Sequence, residues 1–295
     1  MKIVYSDIYS KYSFSPGHPF LSQRRQKFVE LLRNKKFKSE IIEPSKATEA
    51  DILLVHTKDY LNRLKRLAAV GGYLSVDTPV NPENLEAAYY SVGGTIKAAY
   101  SALKDSLAIN TLGGLHHAES NNSSGFCLLN DHAIAIRKLQ RLKKIKKAAV
   151  LDLDVHTGNG TQEIFYHDPT VLTISIHQDP TDFYPGTGFA WQPGAGAGEG
   201  FNINYPLSAG TREEEYLPVL DNAIAKVVNF KPDLTFIVFG VDTYKSDSLG
   251  GFKLEKETFV KIAKKLKTIY PKVVLFSGGY STKVPELWWE IVKNL

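Results

Sequence analysis

His116 and His117 stand side by side in Gly113-Gly114-Leu115-His116-His117-Ala118, and Phe126-Cys127 begins nine residues after His117. Imidazole is the side chain that most readily takes up and releases protons near neutral pH. A tandem pair on a glycine-flanked loop is hard to explain as packing. A second segment, Asp152-Leu153-Asp154-Val155-His156-Thr157-Gly158-Asn159-Gly160, supplies carboxylates and an imidazole at metal-ligand spacing. In an extended segment, side chains two apart share a face, so Asp154 and His156 are expected to reach one ion, with Asp152 pointing the same way. Asp242, after another apolar run, offers a further carboxylate. Two carboxylates and one imidazole, with room for water, make an open catalytic site of the zinc type. With the histidine pair beside it, the expected chemistry is metal-assisted hydrolysis. A serine mechanism is less attractive, because the chain contains no Gly-x-Ser-x-Gly elbow.

Such groups need a scaffold that brings distant segments to one edge. Short apolar, β-branched runs recur at Lys2–Tyr5, Ile52–His56, Leu107–Leu112, Ala148–Asp154, Val171–His177, Leu234–Val241 and Val273–Phe276. Continuous runs of this kind suit strands buried on both faces, as in parallel sheets. Between them lie amphipathic stretches of helix length: Arg24–Arg33, Tyr60–Ala69, Pro82–Leu103, His132–Leu142, Glu213–Val228 and Glu255–Ile269. The alternation predicts an α/β fold, a three-layer α/β/α arrangement over a parallel sheet. No linker, repeat or low-complexity segment divides the chain, so one domain over residues 1–295 is expected. Functional residues of such folds gather beyond the carboxyl ends of the strands. His116-His117, Asp152-Asp154-His156, Asp242 and Gly278-Gly279-Tyr280 all fall there. The glycine-rich stretch Pro185 to Gly200 reads as flexible cover over that edge.

The 295 residues carry 36 basic and 31 acidic side chains, a formal charge of +5. The densest basic run, Arg137 to Lys147, places Leu139, Leu142 and Ile145 at helical spacing, which describes a solvated helix with one buried stripe. Nucleic acid is therefore not an expected partner. No apolar run is long enough for a membrane span. The first residues are too soon polar for a signal peptide. Cys127 is the only cysteine, so no internal disulfide can form. A cytoplasmic location is expected.

The motifs together resemble one family. Gly113–Asp131 (GGLHHAESNNSSGFCLLND) is similar to the His-His and Gly-Phe-Cys signature of zinc-dependent histone deacetylases and of their microbial relatives, the acetoin-utilisation and acetylpolyamine hydrolases. Asp152–Gln162 (DLDVHTGNGTQ), Phe183–Gly188 (FYPGTG), Gly240–Gly251 (GVDTYKSDSLGG) and Ser277–Tyr280 (SGGY) match later family motifs in order. The resemblance implies the arginase–deacetylase fold, with a central parallel sheet of about eight strands. It implies zinc held by Asp154, His156 and Asp242, with His117 as general base and later acid. It implies His116, paired with Asp152, as a second, electrostatic imidazole, and Asn159 behind the far nitrogen of His117. Tyr280 would donate to the acyl oxygen, and Gly278 and Gly279 would let the backbone approach closely. Phe126 and Tyr184 would sandwich lysine-like methylenes, with Gly125 accepting the substrate amide. A monovalent cation, potassium, would sit at Asp152, the main-chain oxygens of Asp154 and His156, and Ser175.

Several positions depart from the family pattern. Thr157 replaces a second histidine, Tyr244 stands where many relatives carry His, and Ser248 where many carry Pro. Ser277 and Ser248–Gly251 resemble class IV deacetylases, which keeps a lysine defatty-acylase open. Leu249 occupies the place where polyamine-selective relatives carry a gating glutamate, which argues against a polyamine. Asp77 is a candidate for the rim aspartate that grips substrate backbone. The expected substrate is acetylated lysine in protein or an acetylated small amine. A binuclear-manganese ureohydrolase on the same fold would need Asp at Gly158 and Tyr244. A silent acyl-lysine or DNA-binding module would have no use for so complete a catalytic set. Of the other histidines, His18 and His56 suit packing or loop hydrogen bonds, His132 a helix start, and His177 support near the site. Cys127 reads as a small buried side chain, and Trp288-Trp289 as a helix packing face.

Overall fold

Runs such as Ala148–Asp152 and Leu234–Phe239 are buried along their whole length, so they can form only the interior of a sheet covered on both faces. The computed structural model describes residues 1–14, 17–20 and 22–295. Its strands are β1 (Lys2–Val4), β2 (Glu40–Ile42), β3 (Gly72–Ser75), β4 (Thr78–Val80), β5 (Leu107–Asn110), β6 (Ala148–Asp152), β7 (Val171–Gln178), β8 (Asn202–Leu207), β9 (Leu234–Phe239) and β10 (Lys272–Phe276). Eight of them form one sheet in the order β2-β1-β5-β10-β9-β6-β7-β8, every pair parallel. β3 and β4 make a separate antiparallel hairpin.

The helices are α1 (Arg24–Asn34), α2 (Glu49–Ile52), α3 (Lys58–Val70), α4 (Pro82–Asp105), α5 (Asp131–Arg141), α6 (Asn159–Phe165), α7 (Glu213–Phe230), α8 (Lys256–Lys265) and α9 (Val284–Val292). They flank the sheet and complete the three-layer α/β/α arrangement. α4 opens on a reciprocal cap between Asn81 and Asn84, with Pro82 in its first turn. α9 inserts Trp288, stacked on Phe276 at 4.6 Å, while Trp289 packs edge-on against Phe37. Among the described residues, no helix is long and apolar enough to cross a membrane.

Four expectations need correction. Ile52–His56 is not a strand: Thr48 and Asp51 form a capping box that starts α2, and the following residues turn. α5 ends at Arg141, so Leu142 is exposed while Leu139 and Ile145 are buried. The Pro185–Gly200 stretch is built around Gln192, whose Oε1 accepts from the N–H groups of Gly188 and Phe189, each at 2.8 Å. Its near end packs on Thr157 and His177 at the sheet edge, while its far end packs away from that edge, on Tyr166 and His167. Finally, β6 stops at Asp152, and residues 154–156 bend rather than continue extended. That last difference matters for the site.

Candidate functional site

The carboxyl ends of β5, β6, β9 and β10 are neighbours in the sheet, so the segments leaving them meet. Beyond β6, the bend lets the His156 N–H donate to Asp154 Oδ1 at 3.1 Å, and brings His156 Nδ1 to 3.1 Å from that oxygen. Asp242, beyond β9, places Oδ2 3.5 Å from His156 Nδ1. Ligand atoms of Asp154, His156 and Asp242 all lie within 4.8 Å of one another, and all three residues are buried. Convergence thus comes from a turn, not from alternation along a strand, and Asp152 is not among the three.

Hydrogen bonds fix the carboxylates. Asp154 Oδ2 accepts from Ser277 Oγ and the Gly278 N–H, each at 2.9 Å, and Asp242 Oδ1 accepts from the Val155 N–H at 3.0 Å. Asp242 Oδ2, 3.5 Å from His156 Nδ1, is buried and makes no hydrogen bond among the described residues. A β-carbon at 278 would collide with both carboxylates, so glycine is required by the closeness of approach. Burial pushes the His156 imidazole down, but Asp154 and Asp242 outweigh it and hold it up at about 10. Burial and the Asp154 charge push the Asp242 carboxyl up to about 8. The cluster therefore retains positive charge between its carboxylates. Two carboxylates and an imidazole, with one buried oxygen left without a hydrogen bond, fit a divalent ion of the zinc type.

The two adjacent histidines are driven apart. His116 Nδ1 lies 2.7 Å from Asp152 Oδ2. Burial lowers the pKa of His116, yet the Asp152 and Asp154 charges overcome it and raise the ring above its ordinary value. His117 is held well below its ordinary value by burial and by the charges of His116 and His156. Its Nδ1 lies 2.7 Å from Asn159 Oδ1. One ring is thus biased toward the cation and the other toward the neutral base, the separation expected where two imidazoles divide the labour. Tyr280 is pushed well above an ordinary phenol by burial and then by Asp242 and Asp154, so its hydroxyl stays protonated as a donor.

Two cavities meet at His117, Gly125, Phe126 and Tyr280. The outer one, about 270 Å³, is also lined by Asp77, His156, Phe183, Tyr184 and Leu249. The inner one, about 20 Å³, is walled by Arg25, Leu115, Cys127, Asp154 and Gly278 among others. Gly125 has φ +57°, and a β-carbon there would strike the His117 ring. The structure therefore gathers Gly125, Phe126, Tyr184, Leu249 and Asp77 around the outer opening. Gly279 lines neither cavity; its carbonyl accepts from Arg24. Ser175 is the register partner of Asp152 in β7, and its hydroxyl lies 2.8 Å from His177 Nδ1. His56 and His132 are bonded within the core, to Glu119 and Thr161 respectively.

Several supporting residues escaped the sequence reading. Asp131 accepts from the Gly114 and Leu115 N–H groups at 3.1 and 2.8 Å, holding the histidine loop. Asp247 accepts from the N–H groups of Tyr280, Ser281 and Leu249, tying the tyrosine loop to the rim. Phe183 stacks on His156 at 5.0 Å, and Glu119 accepts from Asn159 Nδ2 at 3.0 Å. Asp131, Asp247 and Glu119 all lie inside the recognised motifs, but nothing in their spacing signals which backbone or amide they face.

The family model described as histone deacetylase domain matches residues 18–295. A probable deacetylase of Archaeoglobus fulgidus is 36% identical over 95% of this chain and 81% of its own length. The acetoin utilization protein AcuC of Bacillus subtilis is 34% identical over 98% of this chain and 80% of its own. Among solved structures, the acetylpolyamine aminohydrolase of Burkholderia pseudomallei superimposes with a TM-score of 0.89 at 27% identity, covering 100% of this chain and 98% of that one.

Proposed function

Since the chain belongs to the histone deacetylase family and is a hydrolase of acetylated amides, we propose that it cleaves the acetyl amide of acetylated lysine in protein or of a related small amine, releasing acetate. The observation that carries this reading is the convergence of Asp154, His156 and Asp242 beside two imidazoles, one bonded to Asp152 and the other to Asn159. Those three side chains would hold one zinc ion, which when bound supplies a Lewis acid for the acyl oxygen and makes water acidic enough to attack near pH 7. His117, neutral and bonded at Nδ1 to Asn159, takes the proton of the attacking water at Nε2 and delivers it to the leaving amine. His116, whose protonated form Asp152 and Asp154 favour, would add a positive field. Tyr280 donates its hydroxyl to the acyl oxygen as negative charge develops there.

Phe126, Phe183, Tyr184 and Leu249 give the outer cavity an apolar wall suited to a methylene chain, with Gly125 to accept the substrate amide and Asp77 at the rim to grip its backbone. Among the described residues Asp77 is the only acidic side chain lining that cavity, which favours lysine over a polycation. The inner cavity, about 20 Å³, has room for little more than one water-sized group, which favours acetyl over a fatty acyl chain. Arg25, with Nη1 buried and unpartnered among the described residues, faces that chamber and offers a cation where a carboxylate product forms. One metal is favoured over two because Gly158 and Tyr244 offer no carboxylates, and a β-carbon at 158 would crowd the His116–Asp152 pair. A potassium ion at Asp152, Ser175 and the main-chain oxygens of Asp154 and His156 is part of the proposal, supported by the pairing of Asp152 with Ser175. So is a reducing cytoplasmic setting, supported by the single buried thiol of Cys127.

The test is turnover of an acetyl-lysine peptide by the wild type, His117→Ala and Tyr280→Phe, with circular dichroism to verify folding. Each substitution is expected to lower kcat about 10²-fold or more. Near-wild-type rates in either would overturn the role given to that residue, and a silent wild type in the presence of zinc would overturn the function.

A further inference from the structure

We propose that Glu119 is a positioning residue for His117: its carboxylate fixes the direction of the Asn159 amide, and through it the tautomer of the base. The inference rests on the deacetylase reading above and adds a residue that reading does not contain.

The geometry is a three-membered chain. His117 Nδ1 lies 2.7 Å from Asn159 Oδ1, and Asn159 Nδ2 donates to Glu119 Oε1 at 3.0 Å. An amide has two faces of similar shape, one that accepts and one that donates. With its oxygen toward His117, it requires a hydrogen on Nδ1 and leaves the Nε2 lone pair free to take a proton. Turned over, it would offer an N–H to Nδ1, move the ring hydrogen to Nε2 and leave the base without a lone pair at the reacting side. Nothing in Asn159 itself prevents that turn. A carboxylate can only accept, so Glu119 admits the nitrogen of Asn159 and repels its oxygen. The choice made at Glu119 is therefore transmitted to Nε2 of His117.

Glu119 is itself held in place. Its carbonyl accepts from His56 Nδ1 at 2.9 Å, and its N–H donates to the Asn122 carbonyl at 2.9 Å. Asn159 opens α6, and its own N–H donates to the Thr157 carbonyl at 2.8 Å. Both ends of the chain are thus anchored by backbone. Asn159 is buried and Glu119 half-buried, so the charge sits one residue farther from the reaction than a directly bonded carboxylate would. An aspartate at 159 would accept from His117 in either orientation and would need no second residue. This chain divides that task between an amide and a carboxylate.

The division gives the test its form. On the zinc-loaded full chain, kcat and KM for an acetyl-lysine peptide are measured for wild type, His117→Ala, Glu119→Ala, Glu119→Gln, Asn159→Asp and the double variant Glu119→Ala/Asn159→Asp. A carboxamide holding the wrong tautomer behind a catalytic histidine costs about 10⁴-fold in serine proteases. A partly turned amide should cost less, so Glu119→Ala is expected to lower kcat by about tenfold or more, with KM changed less than about twofold. Glu119→Gln keeps an acceptor oxygen and should recover part of the loss. Asn159→Asp alone sets two carboxylates against each other and should be impaired. The double variant should be faster than either single one, because one carboxylate then meets His117 directly. If Glu119→Ala does not fold, the comparison of the double variant with Asn159→Asp makes the same decision. Inactive His117→Ala together with wild-type kcat in Glu119→Ala, or a double variant slower than both singles, overturns the inference and leaves the deacetylase reading standing. Near-wild-type turnover in His117→Ala instead removes the reading on which it rests.

Discussion

His56 shows how far the site's support extends at the scale of single residues. Its Nδ1–H donates to the Glu119 carbonyl, and its Nε2 accepts from the Asn130 N–H at 3.0 Å, so only the neutral ring satisfies both partners. Burial lowers its pKa from the ordinary 6.5 to about 4. The unfolded chain therefore takes up this proton first as pH falls. The contribution of His56 to stability is complete above 6.5 and is lost as pH falls from 6.5 toward 4, with a slope of about 1.4 kcal/mol per pH unit. Glutamine can donate and accept at similar places without titrating. Urea unfolding of His56→Gln between pH 6.5 and 4 should be less pH-dependent than that of the wild type by about that slope. Parallel pH profiles for the two proteins would contradict the account of the ring.

Among elements, the segments that leave the sheet set the site, and their closeness is enforced by glycine. Gly278, just past β10, donates its N–H to Asp154 and leaves no room for a side chain beside Asp242. Gly278→Ala is expected to keep the secondary structure, because the position lies outside any strand or helix, and to lower zinc content per chain severalfold, measured by elemental analysis after dialysis. Undiminished zinc would show that the two carboxylates are not the ligands. The interior strands were legible because β6, β9 and β10 are buried on both faces and read as unbroken apolar runs. β2 and β8 were not, and they are the two edges of the sheet. Their residues are mixed in burial, β2 is short, and β8 carries Pro206, which an edge tolerates. Ile52–His56 misled in the opposite direction: its apolar run is real, but the Thr48–Asp51 cap before it starts a helix.

The molecule as a whole buries Asp154, His156 and Asp242 together, and isolated charge of that density is stable only with something positive among it. Without an ion protons serve, in keeping with His156 held up at about 10 and Asp242 at about 8. An ion that binds must displace those protons, so its affinity should weaken with acid and its binding should stabilise the fold. This much of the site was legible in the sequence, since ligand types, the histidine pair and Tyr280 stand in ordered motifs. Glu119, Asp131 and Asp247 were not, because their partners are backbone groups and an amide brought near only by the meeting of loops. The central claim is tested most directly by titrating zinc into the chelator-stripped enzyme while following acetyl-lysine peptide turnover. Activity is predicted to be absent at first, to rise in proportion to added zinc and to saturate at one equivalent per chain. Full turnover in the stripped protein, or saturation only at two equivalents, would contradict it.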